Sequence, residues 1–295
     1  MKYINYDYEA TFNDFIAANE AEDNRIKYLL DSGDIKSVYC TKTIKSGKAF
    51  EVEIYPEFTR AEAEKAKVKK KESQAQKNLN DRNARKRLER LINNNFGNED
   101  FWITLTYTNG DLPADMEQAL NDMKNYIRRV NYRRKKKGLK PAKYIYITEC
   151  GEKNGRFHHH LIMEKGLPAD TIESLWKKGR RNNVRRIYED ENGITGLSKY
   201  LTKDPQGRKR WKSSNNLKKP KESKSYSVFK FRRIRKMIEN QNIIREELEK
   251  TYKGRRFINA EVRDNKYNGR FYIYARMIDE RQRQRGKPIK NKGAR

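Results

Sequence analysis

Residues 144–163 read YIYITECGEKNGRFHHHLIM, and the way this stretch folds decides the architecture around it. Tyr144–Glu149 and His158–Met163 are β-prone runs flanking Asn154-Gly155, the strongest two-residue hairpin signal, so they read as two antiparallel strands. All three histidines of the protein stand together here, as His158, His159 and His160. Successive side chains of a strand point to opposite faces, so His158 and His160 project to one side while His159 goes to the other with Leu161 and Met163. With Asn154-Gly155 as the tip, Lys153 pairs with Arg156, Glu152 opposes Phe157, Gly151 opposes His158, Cys150 opposes His159 and Glu149 opposes His160. Opposed residues share a face, which sets the Glu149 carboxylate beside the His160 imidazole and leaves space at Gly151 beside His158. A slip of two residues keeps the histidines on that face and changes their partner.

Upstream, FWITLTY (101–107) alternates Phe101, Ile103, Leu105 and Tyr107 with Thr104 and Thr106, which predicts another strand. Between the two regions, Met116, Leu120, Met123, Ile127 and Val130 recur at helical spacing, predicting a helix from about Ala114 to Lys137 that Gly138 stops. Its end carries Arg128, Arg129, Arg133 and Arg134. Downstream, Ile172, Leu175 and Trp176 mark a shorter helix near Asp170 to Lys178. The order strand, helix, strand, strand, helix predicts an α+β fold: a ferredoxin-like or RNA-recognition-motif-like antiparallel sheet with helices on one face.

Further out, SVYCTKT and AFEVEIY flank IKSGK, a second hairpin over Ser37 to Tyr55. From Thr59 to about Asn94 the sequence is rich in Ala, Lys, Glu, Arg and Leu without Gly or Pro, which favours one long helix or two. Its Lys69, Lys70, Lys71, Arg85, Lys86 and Arg87 suit phosphate contacts and equally suit a solvated face. After Asp204, basic residues alternate with Trp211, Tyr226, Phe229 and Phe231, a mixture fitted to phosphates and unpaired bases, or to an ordinary basic helix from about Ser227 to Tyr252. FYIYARM (271–277) is strand-like, and RQRQRGKPIKNKGAR (281–295) reads as a disordered basic tail. The expected organisation is an N-terminal hairpin and basic helical extension (1–95), a catalytic domain (96–206), a basic helical and strand region (207–280) and the tail (281–295).

Lys and Arg number 69 against 40 Asp and Glu, a formal charge of +29 in 295 residues. Such a potential attracts polyanions, with nucleic acid first among them, and exceeds what solubility requires. The sequence has no apolar run of spanning length, signal-peptide pattern or lipidation motif, so the expectation is a soluble protein of the bacterial cytoplasm that touches no membrane. Two cysteines far apart, Cys40 and Cys150, provide neither a disulfide framework nor zinc spacing. No GxxxxGK[ST] loop is present, so unwinding of duplex DNA falls to a partner.

Two imidazoles and a carboxylate form a three-ligand set with open positions, suited to a divalent metal acting as Lewis acid. Mg²⁺ or Mn²⁺ fits phosphate chemistry, and imidazole-rich ligands also accept Zn²⁺. A nucleophile is offered by GITGLSKYLTKD (193–204), where Ile194, Leu197 and Leu201 form a docking strip and Gly196, Tyr200 and Lys203 an adjacent one. The Tyr200 phenol, with an ordinary pKa near 10, needs assistance, for which Lys203 one turn away is placed. The chain has 18 tyrosines, so Tyr200 alone would read as core packing or base stacking.

These three segments in order resemble the HUH rolling-circle replication initiators of plasmids, filamentous phages and related mobile elements. FWITLTY is similar to the first motif, FHHHLIM to the histidine-hydrophobic-histidine second, and KYLTK to the third. The resemblance spans about Phe101 to Asp204, and RKRWKSSNNLKKP (208–220) is similar to the tail of phage-type and Gram-positive mobile-element initiators. It implies that Glu149, His158 and His160 hold the metal, that Tyr200 is the nucleophile and that Lys203 assists at the phosphate. The middle position of the second motif is usually hydrophobic and here is His159. The implied reaction nicks single-stranded or locally melted origin DNA, leaving a 5′-phosphotyrosine and a 3′-hydroxyl that primes replication, with a host helicase and polymerase as partners. Arg128, Arg129, Arg133, Arg134, Arg208, Lys209, Arg210, Trp211 and Lys212 are the candidate DNA contacts. A transposase or relaxase of the same chemistry, or a non-catalytic single-stranded nucleic-acid-binding module, are the alternatives.

Overall fold

A computed structural model describes residues 37–58, 74–151, 155–179, 182–188, 194, 211–265 and 270–281. The chain is α+β and divides into two compact units, one of residues 85–219 and one of residues 1–84 with 220–295. Each is built on a five-stranded antiparallel sheet.

In the unit of residues 85–219, β3 (Phe101–Leu105), β4 (Tyr144–Cys150), β5 (Phe157–Met163), β6 (Asn183–Arg186) and β7 (Lys212–Ser213) lie in the order β6-β3-β5-β4-β7. With α2 (Met116–Lys136) between β3 and β4, and α3 (Ala169–Ser174) between β5 and β6, the first four strands have the βαββαβ ferredoxin-like arrangement. One face of the sheet carries Phe101, Ile103, Leu105, Tyr146, Leu161 and Met163, packed against Met123, Tyr126, Ile127 and Val130 of α2, Ile172 of α3, and Trp176. The periodic apolar positions of α2 are thus its buried stripe, and Asp115 caps its start by accepting from Gln118 N.

The opposite face is also partly covered. Leu88 and Ile92 from the end of α1 (Gln74–Asn95), and Phe96 just beyond it, pack on Ile145, Ile147 and Ile162, together with Ile187 and Ile194. The late apolar residues foreseen in the long basic helix therefore do dock, and they do so on the face opposite α2 and α3. Of the predicted helix at 59–94, the part before Gln74 lies outside the described residues.

Several boundaries differ from expectation for visible reasons. The strand FWITLTY ends at Leu105, because the Thr106 carbonyl accepts from the Trp176 indole at 2.7 Å and Thr106 N donates to Asn182 Oδ1 instead of a neighbouring strand. A Cβ on Gly179 would stand 1.9 Å from that same carbonyl, so this close approach requires glycine. The second helix stops at Ser174 rather than near Lys178. Strands β6 and β7 carry no alternating apolar pattern: β6 reads NVRR and β7 KS, and pairing with β3 and β4 is what makes them strands.

The other unit has the strand order β8-β1-β2-β10-β9, from β1 (Ser37–Ser46), β2 (Ala49–Phe58), β8 (Lys221–Ser225), β9 (Arg255–Asn265) and β10 (Arg270–Asp279). The predicted hairpin is present with Ser46 opposite Ala49, and FYIYARM forms most of β10. The anticipated basic helix from Ser227 to Tyr252 is instead two, α4 (Phe231–Glu239) and α5 (Ile243–Thr251). The break falls at Asn240-Gln241-Asn242, where Asn240 leaves helical geometry at φ −134°, ψ 91°. Both helices bury Ile234, Met237, Ile244 and Leu248 against Val52, Ile54, Ile273 and Met277.

Arg134, a candidate DNA contact by sequence, is buried. It donates from Nε to Lys140 O and from Nη1 to Lys165 O, both at 2.8 Å, and pairs with Glu164 at 3.1 Å. Its planar fork fastens the end of α2 to the following turn and to the loop after β5. Arg134→Ala is expected to lower the unfolding free energy by about 3–5 kcal/mol, as loss of one partner from a buried pair does. Arg128→Ala, on the exposed face, should stay within about 0.5 kcal/mol in the same denaturant titration.

Candidate metal centre

The β4–β5 hairpin presents its polar side chains at the end of the sheet face that α1 leaves uncovered. Strand alternation places His158 and His160 on that face with Thr104 and Glu149, as the sequence implies, while His159 faces the α2 side. The register differs from the one counted out from a two-residue turn. Glu149 opposes His158, Thr148 opposes His159 and Ile147 opposes His160. Gly151 N donates to Arg156 O and Gly155 N to Gly151 O, so the connection spans four residues, 152–155, rather than two. Gly155 takes φ 62°, yet it closes this longer loop instead of sharing the tip with Asn154. The shift is two residues, which preserves faces and changes partners.

The Glu149 carboxylate meets both imidazoles despite the shift. Its Oε2 lies 3.1 Å from His158 Nε2 and 3.8 Å from His160 Nε2. One ligand atom from each of Glu149, His158 and His160 lies within 4.8 Å of the others. All three are half-buried, so they are held in place and open to an incoming group. The two rings stand edge to face with centroids 5.0 Å apart. His160 is fixed further by Trp102, stacked at 5.6 Å and 16°, and by Thr104 Oγ1, 3.2 Å from its Nδ1. That bond leaves Nε2 to face Glu149, the kind of support that orients a metal ligand. Two imidazoles and a carboxylate converging on one point fit a divalent ion in number, charge and donor type.

His159 is fully buried and bonded at both ring nitrogens: Nε2 to Tyr107 Oη at 2.8 Å and Nδ1 to Thr148 Oγ1 at 2.8 Å. Its ring also contacts Trp176 edge-on. A hydroxyl donates or accepts as needed, so two hydroxyls satisfy a neutral imidazole whichever nitrogen carries the proton. A histidine thus occupies the apolar slot without an unsatisfied polar atom. Burial first, and then the neighbouring His158 and His160, push its pKa down to about 3. Burial pushes the Tyr107 phenol well above its ordinary range.

Trp102, Thr104, Tyr107 and Thr148 escaped assignment by sequence, since their roles depend on cross-strand neighbours. The alternation in FWITLTY did mark Thr104 as facing the histidine side once the strands were paired. Arg156 secures the hairpin through Nη1 to Asn109 Oδ1 and Nη2 to Tyr107 O. Tyr200, Lys203, Arg208, Lys209 and Arg210 lie outside the described residues. Ile194, from the strip expected to dock the tyrosine segment, is buried among Ile147 and Ile162. Of the other candidate DNA contacts, Arg128 and Arg133 are exposed, and Arg129 spends Nε on Leu175 O. Trp211 is half-buried against the Ile145 cluster, and Lys212 pairs in β7.

The geometry defines an α+β unit with a two-histidine, one-carboxylate centre on a ferredoxin-like sheet. Residues 100–205, spanning β3 through β6 and the segment that holds Tyr200, match the family model of the replication-associated protein ORF2 and gene 2 protein, of the rolling-circle initiator type, which supports a role in replication initiation. No curated protein and no solved structure matches the chain. No helix among the described residues is long and apolar enough to cross a membrane.

The His159 environment makes stability depend on pH with a definite sign. The unfolded chain takes up a proton near pH 6.5 while the folded chain holds this imidazole neutral down to about pH 3. Stability is therefore complete above about pH 6.5 and declines as the pH falls toward 3. The denaturant midpoint should drop between pH 6.5 and 5 with a slope of up to about 1.4 kcal/mol per pH unit from this residue. His159→Leu should remove that component of the slope, whatever its absolute stability.

Proposed function

We propose that this protein is a metal-dependent enzyme that nicks and rejoins single-stranded or locally melted origin DNA to initiate rolling-circle replication. The observation that carries the reading is the convergence of Glu149, His158 and His160 within a segment of the replication-associated family. Glu149, His158 and His160 hold a divalent ion, Mg²⁺ or Mn²⁺, which polarises the scissile phosphate when bound. Tyr200 attacks phosphorus through its phenolic oxygen. The bond to the 3′-oxygen breaks, giving a 5′-phosphotyrosine and a 3′-hydroxyl once that oxygen takes a proton. Lys203, three residues on, favours the phenolate and meets the phosphate charge. The phosphotyrosine ester retains the energy of the original linkage, so a 3′-hydroxyl can reverse the reaction and reseal a strand without ATP.

Trp102 and Thr104 act through His160: they hold its ring so that Nε2, rather than Nδ1, faces the ion. His159 keeps β5 seated on the α2 side, which keeps its neighbours turned outward. Residues 96–206 form the catalytic module in this reading. The basic excess of the chain supplies affinity for the phosphate backbone, with Arg128 and Arg133 as exposed contributors on α2. A host helicase and polymerase, working in the cytoplasm of a bacterial cell, complete the cycle.

Incubating the protein with a labelled single-stranded DNA library and Mn²⁺ should yield covalent protein–DNA adducts on a denaturing gel. Tyr200→Phe should abolish them while DNA binding persists. Adducts persisting in that variant would move the nucleophile to another residue. Glu149→Gln should weaken Mn²⁺ binding by at least about tenfold in calorimetric titration, since losing a group that merely supports a ligand already costs about 10–100-fold. An unchanged Mn²⁺ affinity would remove the carboxylate from the ligand set.

A further inference from the structure

The unit containing β1, β2, β8, β9 and β10 has a cavity that the nicking chemistry does not use. Its volume is about 410 Å³, and among the described residues its walls include Tyr39, Tyr226, Phe229, Lys230, Phe231 and Arg270. That size falls within the range of about 300–1,000 Å³ typical of small-ligand sites.

Four of these six side chains are aromatic and two are cationic. Phe229 is fully buried. Tyr39 is held by its phenol oxygen, which accepts from Phe271 N at 3.1 Å, and its ring lies 6.0 Å from that of Phe231. Tyr226 is fixed by donating to Glu57 Oε2 at 2.6 Å, a carboxylate that Lys224 also pairs at 2.8 Å. Glu57 is itself buried, so the phenol is anchored at its far end while 41 % of the residue remains exposed. Phe231, 53 % exposed, is the first residue of α4, and the Arg270 guanidinium lies 5.7 Å from its ring centroid.

Exposed rings at such a site are costly unless something covers them, and they are concentrated here. Of the six exposed large apolar side chains among the described residues, two, Tyr226 and Phe231, belong to this cavity. Lys230 is exposed at the rim and is the N-cap of α4. The first-turn N–H groups of a helix have no intrahelical acceptors, so the rim adds partial positive charge to that of Lys230 and Arg270. Anchored rings with exposed faces bind flat π-systems, and the cations beside them select an anionic neighbour. Within a chain of charge +29, that combination fits a nucleotide better than a neutral apolar ligand.

We propose that this cavity takes one unpaired nucleotide of single-stranded DNA, its base stacked against Phe231 and Tyr226 and its phosphate met by Lys230 and Arg270. The proposal rests on reading the chain as one that acts on DNA, and it adds a second point of strand capture to that reading. A base inside a duplex cannot enter, because both its faces are already stacked, so the cavity discriminates single strands from duplex.

The test uses the full chain in EDTA, so that cleavage does not enter, and a labelled mixed-sequence single strand beside the matching duplex. Phe231→Ala should weaken single-strand binding roughly 5- to 150-fold and leave duplex binding unchanged, the effect of losing one base–aromatic stack. Phe231→Leu retains apolar packing and should lose as much, whereas Phe231→Trp should restore affinity. Lys230→Ala should lower the slope of log affinity against log salt by about one. Undiminished single-strand binding by Phe231→Ala, equal losses for single strand and duplex, or full affinity in Phe231→Leu would each overturn the proposal. If Tyr200→Phe still forms adducts while Phe231→Ala loses single-strand binding, the nicking assignment fails and the cavity stands; the converse pair of results rejects the cavity alone.

Discussion

The β4–β5 hairpin is the constraint on which the unit of residues 85–219 depends. Three consecutive histidines on a strand must divide between two faces, and the division holds only if the inward ring is tolerated in the core. Burying an imidazole without partners would cost several kcal/mol. Tyr107 and Thr148 remove that cost by bonding both nitrogens of His159, one from the end of β3 and one from β4. The inward histidine thereby becomes a clamp across three strands. His158 and His160 are turned outward because their neighbour is satisfied inside.

The same hairpin tolerates a register difference of two residues without losing its cluster. Glu149 is paired with His158 in the ladder, but its side chain reaches His160 as well. A site made from two i, i+2 residues and one carboxylate on the same face is insensitive to slips by even numbers. A slip by one would have destroyed it, carrying Glu149 to the α2 side.

Charge is spent on more than one task. The net +29 suggests a surface made for phosphates, yet several cations serve the fold. Arg134 closes carbonyl groups around the end of α2. Arg233 ties α4 to Glu247 and Thr251 of α5. In the same unit Asp279 is nearly inaccessible and lies near Lys45, Arg255 and Arg281; hydrogen bonds from Arg281 hold its carboxyl down to about 2. Arg255 also lies flat on Phe50, 3.8 Å from the ring centroid. An arginine run at a helix end therefore mixes solvent-facing and structural members, as Arg133 and Arg134 illustrate side by side.

Periodicity and alternation make much of the molecule legible in its sequence. Phe101–Leu105, the apolar stripe of α2, the hairpin at Ser46–Ala49 and the outward face of His158 and His160 all follow from local stereochemistry, which depends only on neighbouring residues. Tertiary structure alone decided the rest. It made strands of NVRR and KS, whose pairing comes from β3 and β4 rather than from their own pattern. It split the helix at Asn240, lengthened the loop at 152–155, and sent Arg134 inward. It also built the aromatic cavity from Tyr39 and Arg270, which lie 231 positions apart in sequence. Each of these outcomes depends on partners distant along the chain, and no local propensity encodes which distant residue will arrive.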